Sequence, residues 1–118
     1  MIRDLKTEIW ALALIKRAEI GGASGFVIKK GDVDAGSVII KISISRDEAK
    51  ILVPSRNMNG DLIFVDMTNQ LKTKMREETT ISRAIDEYIE RRLKFDTDLW
   101  VVEIEDVKGR DFLIERVE

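Results

Sequence analysis

The chain has 118 residues, 44% apolar and 36% charged, which suits one domain with its own core inside a densely ionic surface. Lys and Arg number 20 against 22 Asp and Glu, a net charge of -2, so no global field draws the chain to nucleic acid or an acidic membrane, and neither is an expected partner. Absence of cysteine and histidine excludes disulfides, ordinary structural zinc, His-ligated haem and imidazole-activated nucleophiles; no metal or other cofactor is expected.

The opening MIRDLKTEIWALALIKRAEI has a continuous apolar run only from Ile9 to Ile15, closed by Lys16 and Arg17. That is shorter than the roughly 20 residues a bilayer needs, and Glu8 sits where a signal peptide would not have it. A cytoplasmic location is expected. The stretch reads as a helix from Thr7 to Ile20, with Thr7 as N-cap, Glu8 at the positive end of the dipole and Gly21-Gly22 as the stop. Its core side is expected to carry Ile9, Trp10, Ala13, Arg17 and Ile20, widened by Leu12 and Ile15.

Strands follow. Phe26 to Lys30 leads into the loop GDVDAG, and Ser37 to Ile44 alternates Val38, Ile40, Ile42 and Ile44 with Ser37, Lys41 and Ser43, which predicts one buried face. Lys50 to Val53 should stop at Pro54, because proline cannot donate to a ladder. An Asn59-Gly60 turn then feeds a strand from Leu62 to Met67. Residues 68 to 78, TNQLKTKMREE, fit a strand, a short helix or a connection equally.

A second helix is capped by Thr79 or Thr80 and repeats Ile81, Ala84, Ile85, Tyr88, Ile89 and Leu93 at the 3.6 period. After it, Trp100 to Asp106 alternates Trp100, Val102 and Ile104 with Val101, Glu103 and Glu105. With a turn at Gly109, the segment predicts a β-hairpin in which Ile104 faces Phe112 and Val102 faces Ile114, with Glu103 and Glu105 pointing away from the core. The expected fold is α+β: an antiparallel sheet of five to six strands with both helices on one face, in the order α-β-β-β-β-α-β-β.

Three groups of residues invite a functional reading. Asp32 and Asp34 in GDVDAG resemble the start of a calcium loop, but Ser43 stands where an EF-hand needs its glutamate, so turn-forming acids are the preferred reading. Asp96 and Asp98 beside Trp100 form a carboxylate pair, the kind that hydrolyses glycosides or holds Mg²⁺, set against the ordinary role of Asp in a turn leaving a helix. The basic clusters, Lys29-Lys30, Lys72 to Arg76 and Arg91 to Lys94, read as solvated salt-bridged surface.

Taken together, LKTEIWALALIKR, KKGDVDAGSVIIKI and FDTDLWVVEIEDVKGRDFL resemble the alphaproteobacterial domain of unknown function 1491 family. The last block is the most specific, resembling D-P-D-L-W-V-V-E followed by E-D, a turn and G-R. Thr97 stands where proline is usual and Asp111 where histidine is often found, which removes any chemistry that needs that histidine. The resemblance implies a cytoplasmic bacterial protein and no activity. Positions matching the family motifs are Glu8, Trp10, Arg17, Lys30, Asp32, Asp34, Asp98, Trp100, Glu103 and Arg110.

The leading functional reading is a non-enzymatic binding or interaction module that self-associates through an open sheet edge or a partly exposed helix. No residue is assigned a catalytic role, and the candidate ligand-binding set is Arg17, Lys30, Asp32, Asp34, Asp98, Trp100 and Arg110. The alternatives are a carboxylate- or Mg-dependent hydrolase using Asp32, Asp34, Asp96 and Asp98, and a nucleotide or nucleic-acid binder using Arg17, Lys30, Arg110 and Trp100.

Overall fold

The structure, a computed structural model, describes residues 6–118. Its elements run α1 (Thr7–Ile20), β1 (Ser24–Lys29), β2 (Val38–Ser43), β3 (Ala49–Arg56), β4 (Leu62–Asp66), α2 (Thr68–Lys74), α3 (Ile81–Phe95) and β5 (Trp100–Glu105). The α+β class and the order of elements stand, and the undecided segment after β4 supplies the short helix α2. Among the described residues no helix is long and apolar enough to cross a membrane.

The five strands form one sheet in the order β1-β5-β2-β3-β4. It is mixed, where a purely antiparallel sheet was expected. β5 runs parallel to β2 and antiparallel to β1, while β2-β3 and β3-β4 are antiparallel. The reason lies in β5 itself: Trp100, Val101, Val102 and Ile104 are all buried, the pattern of a strand covered on both faces. Such a strand belongs inside the sheet, and reaching β2 from α3 makes the pair parallel.

That position overturns the predicted hairpin. β5 has a neighbour on each edge, so Ile104 lies opposite Gly25 in β1 and Ile42 in β2, and no ladder remains for a returning strand. The expected turn does form, with the Gly109 N–H donating to the Asp106 carbonyl at 2.9 Å and Gly109 at φ 69°. Beyond it the chain leaves β5 and ends beside β4, where Val117 bridges Phe64 in parallel. The last expected strand is thus a single bridge. The alternation within β5 survives: Trp100, Val102 and Ile104 point into one core and Val101 into the other.

The helices lie on opposite faces, not on one. α1 packs Trp10, Ala11, Leu14 and Ala18 against Val38, Ile40, Ile42, Leu52, Phe64, Trp100, Val102 and Ile104. On the other face, Ile81, Ala84, Ile85 and Ile89 of α3 cover Ile39, Ile51 and Val101. Ile39 is what the alternation in β2 concealed, since it and Lys41 point toward α3 and are as buried as their neighbours. Lys41 is neutralised there: its Nζ lies 2.7 Å from Asp86 Oδ1.

The buried stripe of α1 also differs from the expected one. Ile9, Leu12 and Ile20 are 51%, 53% and 76% exposed. Apolar residues surround this helix, so periodicity does not choose a face; the small Ala11 and Ala18 do, by letting the helix approach the sheet closely. In β3, Pro54 does not end the strand. The β2-β3 ladder stops at Leu52, so Pro54 sits beyond it with no donor required on that side.

Candidate functional site

The GDVDAG loop is a backbone device. Asp32 Oδ1 accepts the N–H groups of Asp34 and Ala35 at 2.8 and 3.0 Å, which holds its carboxyl below the usual carboxylate range. The Asp32 N–H donates to the Asp98 carbonyl at 3.0 Å, and the Asp32 carbonyl accepts the Trp100 indole N–H at 2.7 Å. Gly31 and Gly36 are required by this closeness, because a Cβ on either would fall 2.1 Å from the Asp98 carbonyl oxygen.

The same loop anchors the start of α1. Glu8 N–H donates to the Val33 carbonyl at 3.0 Å, and Thr7 Oγ1 donates to the Gly36 carbonyl at 2.9 Å. Lys6, not Thr7, occupies the cap position. Lys30 pairs with Glu8 at 2.9 Å and Asp34 with Lys6 at 3.5 Å, both at the surface. Asp96 Oδ1 accepts the Asp98 N–H at 3.0 Å, the turn expected of an aspartate leaving a helix. Trp100 is 1% exposed and fills the interior. The structure therefore gathers Lys30, Asp32, Asp34, Asp98 and Trp100 around one loop, where Asp32, Asp98 and Trp100 make hydrogen bonds with backbone groups and Lys30 and Asp34 make surface ion pairs.

Arg17 and Arg110 meet elsewhere, at the far end of α1. Arg110 makes a two-pronged contact with Asp106, Nε to Oδ2 at 2.9 Å and Nη2 to Oδ1 at 3.0 Å, and its own N–H adds a third bond to Oδ2 at 2.8 Å. Those bonds hold the Asp106 carboxyl well below the usual carboxylate range although burial opposes it. Arg110 Nη2 also donates to the Gly21 carbonyl at 3.1 Å, and its guanidinium lies 4.8 Å from the Phe112 ring centre. Arg17 Nε donates to the Phe112 carbonyl at 2.9 Å. The cluster ties the post-β5 turn to the end of α1. Among the described residues no three carboxylates converge as a metal site would require.

Sequence reasoning did not single out one further concavity. A cleft of about 800 Å³ opens between the α1 start, the loop before β2, the β3-β4 ends and residues 114–116. Trp10 and Phe64 lie in its floor, stacked with ring centres 5.6 Å apart. Trp10 Nε1 donates to Glu115 Oε2 at 2.9 Å, while Glu115 Oε1 is buried and finds no donor among the described residues. An unsatisfied buried oxygen costs about 1–3 kcal/mol. No sequence signal marks Glu115, because the fold brings it to Trp10 from 105 positions away.

Three comparisons bear on this geometry. The family described as protein of unknown function, DUF1491, matches residues 5–114. A crystal structure of a DUF1491 family protein from Caulobacter crescentus CB15 is 40% identical, covers 97% of this chain and 99% of that one, and superposes with a TM-score of 0.82. An NMR structure of a DUF1491 family protein from the same organism is 39% identical over 98% of this chain and 97% of that one, with a TM-score of 0.77. The solution structure of protein Atu0922 from A. tumefaciens, 24% identical over 96% of this chain and 97% of that one, shares the fold with a TM-score of 0.67. No curated protein matches the chain.

Proposed function

The chain belongs to the DUF1491 family of proteins of unknown function, and we propose that it acts as a non-enzymatic cytoplasmic interaction module that pairs with a second copy through β1. The observation that carries this reading is the state of that strand. β1 is an edge strand hydrogen-bonded only to β5, yet Phe26, Val27 and Ile28 are 46%, 38% and 59% exposed. An edge that offers both free backbone groups and apolar side chains is a template for another strand unless something guards it. The guard here is partial: a bulge at Ile28 breaks the register after Val27 and leaves Ser24 to Val27 regular.

Charge favours an antiparallel, two-fold arrangement. Lys29 and Lys30 stand at one end of β1, while Ser24 at the other end lies opposite the exposed Glu105. Reversing a second copy brings the Lys29 end, where Lys30 already pairs with Glu8, toward the other copy's Glu105. The carboxylates of Asp32 and Asp96 are engaged in turns, which supports a binding role over hydrolysis.

Light scattering during size-exclusion chromatography tests the reading. The wild type is expected to rise from monomer to dimer mass with concentration. Lys29→Glu should weaken the association, and Lys29→Glu with Glu105→Lys should restore it. A wild type that stays monomeric at millimolar concentration would refute self-association.

A further inference from the structure

We infer that the cleft floored by Trp10 and Phe64 is a binding site for a small aliphatic primary ammonium, with Glu115 as its counter-charge. This goes beyond pairing through β1 and involves the other end of the sheet. Its volume of about 800 Å³ lies within the range of small-molecule sites, and its lining mixes apolar wall with polar and charged side chains, Arg56, Asp61 and Glu115 among them. Pro54, Leu62 and Ile114 supply wall, and Ile114 is 72% exposed.

The charge balance of the lining selects the ligand class. Asp34 pairs with Lys6 and Arg116 with Glu118 at 3.4 Å, Asp61 is likewise engaged, and the exposed Arg56 donates through Nη1 to the Gly60 carbonyl at 3.3 Å while keeping its charge. Glu115 differs. Its one bond comes from a neutral indole, and Oε1 has neither a donor nor a cation among the described residues. A carboxylate accepts and cannot donate, so the group that completes it is a donor, and a cationic donor matches its charge as well. Hexanoate or another anion would meet the same carboxylate with repulsion. Oε1 is covered in the unliganded chain, so binding requires the segment around Glu115 to shift, and its neighbours Ile114 and Arg116 are both exposed. An alkyl chain on the ammonium would then lie along Leu62 and Pro54, gaining apolar contact that a bare ammonium ion cannot.

The test is an NMR titration that follows the Trp10 Nε1–H signal, whose proton is donated to the same carboxylate, with the Trp100 Nε1–H signal as an internal reference. The probes are n-hexylammonium, 1-hexanol and hexanoate. The wild type is expected to show a saturable shift of the Trp10 signal with hexylammonium, at least tenfold weaker binding of hexanol and none of hexanoate. Glu115→Gln, whose amide oxygen still accepts from Trp10, should lose at least tenfold in hexylammonium affinity while both indole signals stay dispersed. No saturable shift at millimolar hexylammonium, equal binding of hexanol and hexylammonium, or undiminished binding by Glu115→Gln would each overturn the assignment. The comparison of probes on the wild type decides the matter even if the variant fails to fold.

Discussion

The carbonyl of Asp32 accepts the indole N–H of Trp100 across 2.7 Å, joining two segments 68 positions apart in the chain. That bond gives the tryptophan of the FDTDLW stretch a packing role: it is 1% exposed and its polar edge is satisfied by a loop that also receives the start of α1. Trp100→Phe is expected to lower stability by about 1 kcal/mol, the net contribution of a hydrogen bond whose acceptor water can still reach, and Trp100→Ala by about 3–5 kcal/mol. Urea denaturation followed by circular dichroism measures both. Equal stability of Trp100→Phe and wild type would show the bond to be dispensable.

Two glycines separate steric from conformational demands. A Cβ at Gly31 would sit 2.1 Å from the Asp98 carbonyl oxygen, so Gly31→Ala must push the loop off β5. At Gly60 a Cβ meets nothing within 4 Å, and only the φ of 81° resists a side chain. Gly31→Ala is therefore predicted to cost about 1–3 kcal/mol or more, and Gly60→Ala about 1 kcal/mol. A thermal melt of each variant checks the order, which should not invert.

Stability should fall in acid through Asp106. Hydrogen bonds from Arg110 depress its folded pKa, with further help from the Arg110 and Lys108 backbone N–H groups. A depressed carboxylate contributes its full stabilisation above the unfolded value near 3.9 and loses it as pH falls further toward the folded value. Asp32 works in the same direction through its bonds from Ala35 and Asp34. Between about pH 5 and pH 2 the wild type should therefore lose stability more steeply than Asp106→Asn, which starts lower and changes less. Parallel pH profiles for the two proteins would contradict this.

Lys41 and Asp86 should respond unequally to mutation. The lysine side chain is 7% exposed and the aspartate 56%, so removing the lysine leaves a carboxylate that water can solvate. Removing the aspartate leaves a buried ammonium held only by the Ser82 carbonyl at 3.5 Å. Lys41→Met is expected to change stability by about 1 kcal/mol or less, and Asp86→Ala to lower it by more, because an unpaired buried charge is the costlier remnant. Chemical denaturation of both variants reads the asymmetry.

The parts of this architecture that could be read in the sequence are those set by local chemistry. Thr80 caps α3, its Oγ1 accepting the Arg83 N–H at 3.1 Å, and the glycines after α1 and at position 60 stop or turn the chain where expected. What stayed hidden depends on neighbours distant in sequence. Alternation in β2 suggested one buried face because Ile39 looked like an exception among polar residues, when a second helix layer covers it and Lys41. The run after Trp100 has the pattern of half a hairpin, and nothing local says that β1 and β2 already occupy its edges. Among the candidate site residues, Asp32, Asp34, Asp98 and Trp100 come together in one region of the fold, a convergence not legible in the sequence. The sequence could not separate Arg17 and Arg110 from them, nor find Glu115, whose contact with Trp10 exists only in the folded chain.

Pairing through β1 is most directly tested by backbone amide hydrogen exchange along Ser24–Lys29 at two protein concentrations about tenfold apart. The β1 amides not bonded to β5 should exchange more slowly in the concentrated sample, while α3 amides are unchanged. Exchange of those β1 amides at the same rate in both samples would contradict the account.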